Sequence, residues 1–187
     1  MSGLGDLSHP FRTESVETVH DWTYSRLVRR TIASPDGEVF DRTYVDSPGA
    51  VAVVAVTADD HVLLVSQYRA PVDGMVTEIP AGMRDVEGEP AEETARRELV
   101  EEVGYSADTW HPLGSILSTP GASNGVVEIF LARGLTPVPV RPHGPEEQVM
   151  RIHHVPIAEA IRMCMENEII DSKSVAGILR AARILGH

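Results

Sequence analysis

The sequence predicts a mixed-sheet α/β sandwich rather than a doubly wound parallel sheet. Three observations carry this. Extended stretches come both before and after one central amphipathic helix. Two further helical stretches close the chain. A nearly continuous valine-rich run at Ala50–Val56 requires a buried strand around which layers can form.

Taken in order, Tyr24–Ile32 reads as the first convincing strand and Glu38–Val45 as its partner, joined by the turn signal Ser34-Pro35-Asp36-Gly37. These two have no obvious place in the main sheet and are expected to form a small antiparallel extension. After Ala50–Val56, Asp59-Asp60 turns the chain into a strand at His61–Gln67, and Thr77–Pro80 is short and extended. The central helix should run from about Pro90 to Val103. Pro90 suits a first turn, Glu92 and Glu93 suit its positive end, and Gly104 suits its stop. Strands are expected near Leu113–Ser118, Val126–Ala132 and Val149–Val155. The last two helices are expected at Ile157–Glu166 and Ser172–Ile184. The domain boundary implied is residues 1–47 as an extension and residues 48–187 as the main domain.

A chain of 187 residues suits one such domain. With 16 basic and 28 acidic residues its net charge is −12, which repels nucleic acid backbones and argues against polymer binding. Phosphorylated small molecules remain compatible, because metal ions and a few arginines reverse the field inside one cleft. The single cysteine, Cys164, excludes an intrachain disulfide and reads as an inert thiol on a helix. No run approaches the length of a membrane span. Met1–Arg12 lacks the pattern of a signal peptide and reads as a loose tail. The expectation is a cytoplasmic protein.

The chemistry lies on the central helix. Glu98, Glu101 and Glu102 stand at i, i+3 and i+4 and share one side, beside the apolar stripe of Ala91, Ala95, Leu99 and Val103. An ordinary solvated face would lie opposite that stripe. Three carboxylates at the edge of a core repel one another, and partial burial worsens this. Arg97, divalent cations, or both must compensate. Mg²⁺ and Mn²⁺ take oxygen ligands and serve phosphate chemistry. The alternative is a charged surface helix with a coincidental cluster.

The stretch from Gly82 to Tyr105 resembles the Nudix box, G-x5-E-x7-R-E-U-x-E-E-x-G-U with U aliphatic. Every fixed position from Glu89 to Gly104 matches: Glu89, Arg97-Glu98-Leu99, Glu101-Glu102 and Gly104. The departures are Tyr105 at the last position and one extra residue between Gly82 and Glu89, in a loop where an insertion is cheap. The resemblance implies a Nudix-type α/β/α sandwich and a metal-dependent pyrophosphohydrolase using Mg²⁺ or Mn²⁺. It makes Glu98, Glu101 and Glu102 metal ligands, with the Ala81 carbonyl as a further one and Glu101 and Glu102 serving catalysis. Arg97 and Glu89 would pair and brace the helix. Gly82 would let the backbone turn close to the metals.

Three features outside the box resemble the ADP-ribose pyrophosphatase branch: Glu78-Ile79-Pro80-Ala81-Gly82, Gln67-Tyr68-Arg69, and Pro120 fifteen residues past Tyr105. They imply that Arg69 contacts a substrate phosphate, the alternative being a surface salt bridge. Two departures stand against them. Arg42, expected to bind substrate, is followed by Thr43 rather than an acid, and Ala122-Ser123-Asn124-Gly125 lacks the acid common after Pro-Gly. The branch also implies a catalytic base in a loop downstream of the box. Glu146 fits best there, with Glu147 as the alternative. His153 and His154 are adjacent, so a strand points them to opposite faces and they do not make a ligand pair. A homodimer built through the N-terminal strands is expected, carrying Arg42 to the partner's site.

Two function classes follow. One is hydrolysis of ADP-ribose to AMP and ribose 5-phosphate, or of another nucleoside diphosphate sugar, dinucleotide or oxidised nucleotide. The other is a non-catalytic nucleotide sensor, which the complete set of box glutamates argues against.

Overall fold

In the computed structural model, residues 6–139 and 149–187 are described. The loop carrying Glu146 and Glu147 lies outside them. The chain divides into two compact units, residues 1–49 with 115–127, and residues 50–114 with 128–187.

The first unit contains β1 (Arg12–Asp21), β2 (Arg26–Ala33) and β3 (Val39–Asp46), an antiparallel sheet in that order. The pair expected from sequence is β2 and β3, turning at Ser34–Gly37. The structure corrects the expectation by adding β1, which begins where a loose tail was read. All ten residues of β1 are exposed, so its sequence carries no alternation of buried and exposed positions to betray a strand. Its backbone bonds to β2 hold it in place instead. The turn after Pro120 belongs to this unit. Val45 donates its N–H to the Ala122 carbonyl at 2.8 Å.

The second unit holds most of the core. Strand β4 (Ala50–Ala55) is packed on both faces. Val51, Val53 and Ala55 meet Ala95, Leu99 and Val103 of helix α1 (Ala91–Val103). On the other face Val54 lies against Gly177 of α3 (Ser172–Leu185), where a Cβ would come within 3.0 Å of its methyl group. A strand covered twice must be apolar throughout, which is why Ala50–Val56 reads as a continuous run. This arrangement is the expected α/β/α layering. The other strands are β5 (His61–Arg69), β6 (Gly74–Glu78), β7 (Ala81–Met83), β8 (Tyr105–Leu117), β9 (Val126–Pro137) and β10 (Arg151–Pro156). They form one sheet ordered β7-β4-β9-β8 and another ordered β10-β5-β6. Helix α2 (Ile157–Met165) follows β10 and packs on α3. Cys164 sits half-buried on α2, and burial pushes its thiol up to about 11. No helix among the described residues is long and apolar enough to cross a membrane.

Two details place the site. Helix α1 stops at Gly104, whose φ of +69° is the left-handed conformation expected of that glycine. The turn Pro80-Ala81-Gly82 links β6 to β7 and runs beside α1, with β7 paired to β4 at Ala52↔Ala81.

Candidate active site

Helix α1 lays its apolar stripe on β4, and this fixes where its glutamates point. Leu99 and Val103 are buried, so Glu98, Glu101 and Glu102 stand at the rim of the core. Glu102 itself is only 5% exposed. Its Oε2 accepts the Ala81 N–H at 2.8 Å, tying the helix to the Pro80–Gly82 turn. Glu98 passes so close to the same turn that a Cβ on Gly82 would fall 1.9 Å from its carboxyl carbon. A side chain at this position would force the Glu98 carboxylate to move.

Arg97 occupies the middle of the cluster. Its Nη1 donates to Glu98 Oε1 at 2.8 Å and Glu101 Oε2 at 3.0 Å. Its Nη2 donates to Asp85 Oδ1 at 3.2 Å and lies 3.6 Å from Glu89 Oε2. Glu89 also accepts from the buried Thr94 hydroxyl at 2.7 Å. One guanidinium thus faces four carboxylates, with Glu102 beside them. Burial pushes the Glu98 carboxyl up to about 7, and Glu101 and Asp85 add to this against the pull of Arg97. Among the described residues no three acidic, histidine or cysteine side chains converge into a ready metal cage. Arg97 bridges two of the candidate ligands, and Glu102 turns to a backbone N–H. The donors nevertheless suit a hard divalent cation: oxygen atoms only, an excess of negative charge, and a Glu98 carboxylate that reaches the turn because Gly82 has no Cβ.

A second group of charges flanks the other end of the turn. Arg69 ends β5 and Glu78 ends β6. Arg69 Nε and Nη2 donate to Glu78 Oε1 and Oε2 at 2.9 and 2.8 Å, a two-pronged pair. Glu78 is 3% exposed, while the Arg69 side chain keeps 39% of its surface open. Lys173 of α3 also donates to Glu78 Oε2. Burial pushes the Glu78 carboxyl up, but Arg69 and Lys173 outweigh it and hold it below the ordinary glutamate value.

The structure therefore brings together Ala81, Gly82, Glu89, Arg97, Glu98, Glu101 and Glu102, with Gly104 closing the helix. Arg42 belongs to the first unit, where its guanidinium stacks on the Phe40 ring at 4.6 Å and donates to the Asp41 carbonyl. His153 bonds Ser66 at 2.9 Å and His154 packs against Tyr105, so the two do point apart. Sequence reasoning missed Lys173, 95 residues from Glu78, which no local spacing could have revealed. It also missed the role of Asn124. Its amide nitrogen donates to Asp46 Oδ1 at 2.6 Å and its oxygen accepts the Ser47 N–H at 2.9 Å. An ionised carboxylate at 124 could not donate to Asp46.

The Nudix domain family profile matches residues 46–175. The chain is 40% identical over 171 residues to the ADP-ribose pyrophosphatase of Mycobacterium tuberculosis, covering 91% of this chain and 83% of that protein. It is 34% identical over 167 residues to the ADP-ribose pyrophosphatase of Bacillus subtilis, covering 89% and 90%. A crystal structure of an ADP compounds hydrolase superposes with a TM-score of 0.78 over 97% of each chain, at 22% identity. That last likeness establishes the fold. The chain belongs to the Nudix family and is a pyrophosphohydrolase of the kind that acts on small nucleotide substrates with divalent metal ions.

Proposed function

We propose that this enzyme hydrolyses ADP-ribose to AMP and ribose 5-phosphate with Mg²⁺ or Mn²⁺. The observation that carries the chemistry is the crowding of four carboxylates around Arg97, beside a turn that leaves no room for a Cβ. The substrate rests on the two pyrophosphatase relatives together with the Gln67-Tyr68-Arg69 and Glu78–Gly82 motifs.

Glu98, Glu101, Glu102 and the Ala81 carbonyl would hold the metal. A divalent cation there supplies charge neutralisation at the diphosphate oxygens and a more acidic water. The protein does the rest. The Ala81 N–H orients Glu102. Arg69 offers the edge of its guanidinium not held by Glu78 to a phosphate. Glu146, or Glu147 one residue on, takes the proton of the attacking water. Arg42 meets the nucleoside from a partner subunit in a homodimer paired through residues 1–47, and residues 48–187 form the hydrolase domain. The exposed strand β1 supports such pairing, because an uncovered edge invites another chain. The compartment is the cytoplasm.

The test is a panel of ADP-ribose, other nucleoside diphosphate sugars, dinucleotides and oxidised nucleotides, assayed with each metal. ADP-ribose should give the highest kcat/KM and release AMP, and a chelator should abolish turnover. Preference for another substrate overturns the substrate assignment, and activity surviving chelation overturns the metal assignment.

A further inference from the structure

We infer that Lys173 is a positioning residue for the reaction, acting through Glu78 to aim the Arg69 guanidinium at the substrate diphosphate. This rests on the reading that Arg69 meets a phosphate.

Arg69 is partly open and would swing freely if nothing fixed its plane. Glu78 fixes it through two parallel bonds. Glu78, however, is a buried carboxylate, and burial disfavours its charge. A second cation offsets that cost. Lys173, with 13% of its side chain exposed, donates to Glu78 Oε2 and lies 3.0 Å from Asp171 Oδ1.

Lys173 is itself held. Asp171 caps α3 by accepting the Ser174 N–H at 2.9 Å and also accepts the Ser174 hydroxyl. The Ser174 oxygen in turn accepts the Ile79 N–H at 2.9 Å, on the residue after Glu78. Gly177, one turn on, brings the helix against Ile79, where a Cβ would lie 3.1 Å from its terminal methyl. The first turn of α3 and the end of β6 thus form one fixed piece. Arg69 is tied to it through Nε and Nη2, and Glu102 and Asp171 also act on its charge. The arrangement gives a preorganised anion contact whose aim depends on a lysine that need not touch substrate.

The test uses the full-length enzyme and ADP, the diphosphate portion of the proposed substrate. Its Kd is measured by calorimetry beside KM and kcat for ADP-ribose. Arg69→Ala should weaken ADP binding and raise KM about tenfold or more. Lys173→Met should raise both roughly fivefold with kcat changed less than about twofold, the pattern of lost binding rather than lost chemistry. Lys173→Arg should recover most of the loss. Adding Lys173→Met to Arg69→Ala should cost nothing more, because the two act in series. A Lys173→Met penalty that persists in full on the Arg69→Ala background overturns the proposal while leaving the Arg69 reading intact. An Arg69→Ala variant with unchanged ADP affinity overturns both. Failure with ADP-ribose alone, with ADP binding as expected, touches only the substrate assignment. Asp171→Asn keeps a capping oxygen but loosens Lys173. It should show a smaller shift of the same kind, and it serves if Lys173→Met does not fold.

Discussion

Glu78 and Glu98 stand at opposite ends of the same turn, Pro80-Ala81-Gly82, and both are largely buried. Their charges are treated in opposite ways. Glu78 is bonded by two cations, Arg69 and Lys173, and is held below the ordinary glutamate value. Glu98 shares one arginine with three other carboxylates and is pushed up to about 7. Burial is therefore not what distinguishes them; the inventory of nearby donors is. A carboxylate whose partners are complete does a structural task. One that remains short of positive charge is suited to a cation that arrives from outside.

The largest expected effect comes from making both glutamates neutral in turn. Glu78→Gln removes the carboxylate that Arg69 and Lys173 both bind, leaving Lys173 with Asp171 alone, and should lower the unfolding free energy by about 2–3 kcal/mol. Glu98→Gln, measured in a chelator at pH 8, should leave stability unchanged or raise it. The sign follows from its upward shift. The charged form is disfavoured in the folded state, so above pH 7 the carboxylate costs stability that the amide does not. Denaturant titration of both variants checks this. Equal losses would show that the two carboxylates are alike after all.

Next is Gly82→Ala. The new methyl must displace Glu98 or the turn, since the present separation is 1.9 Å. Turnover should fall by about 10²-fold, as expected for misplacing a catalytic group by an ångström or so. The fold should persist, because β7 is short and lies at the edge of its sheet. Steady-state rates with saturating Mg²⁺, beside a thermal melt, separate the two effects. On the Glu78 side the matching change is Gly177→Ala, where the contacts of 3.0–3.2 Å are tight but not impossible. It should cost about 1–3 kcal/mol of stability by overpacking, with the ADP Kd shifting only as far as α3 moves Lys173.

The same contrast governs what could be read from the sequence. The acidic side of the turn was legible. Glu98, Glu101 and Glu102 lie within one turn of a helix, and Pro90 and Gly104 mark its limits, so 3.6-residue geometry brings them together without further knowledge. β4 was legible because it is covered twice and must be apolar. On the Glu78 side the motifs marked Arg69 and Glu78, but not Lys173. Glu78 and Lys173 meet only because α3 folds back on β4 through Gly177, a contact between distant segments that leaves no local period. β1 was illegible for another reason: its side chains face solvent, and hydrophobic alternation reports burial rather than backbone pairing. The resemblance of residues 82–105 to the box pattern and of the flanking motifs to the branch points to the family more specifically than residue chemistry alone.

The smallest effect sharpens the comparison in the first unit. Asp46, like Glu78, is held below its ordinary value, chiefly by the hydrogen bond from the neutral Asn124, with burial working against it and Arg26 assisting. If donors rather than burial decide the state of a carboxylate, exchanging this donor for an acceptor should undo it. Asn124→Asp places two carboxylates where one amide bond stood. At pH 7 both are charged, and the variant should be less stable than the native protein by about 1 kcal/mol, the worth of the lost bond. The native Asp46 contributes stability above its unfolded value, and this is lost as pH falls through its lowered folded value. The variant behaves in the opposite sense. As pH falls through the carboxylate range one of the pair takes up a proton, becomes a donor, and restores the bond. The stability gap between native and variant should therefore narrow toward pH 4, as read from paired denaturation curves across that range. No gap at any pH would mean that the Asn124–Asp46 contact contributes nothing to the fold, and a gap that stays constant with pH would mean that a protonated carboxyl does not replace the amide donor.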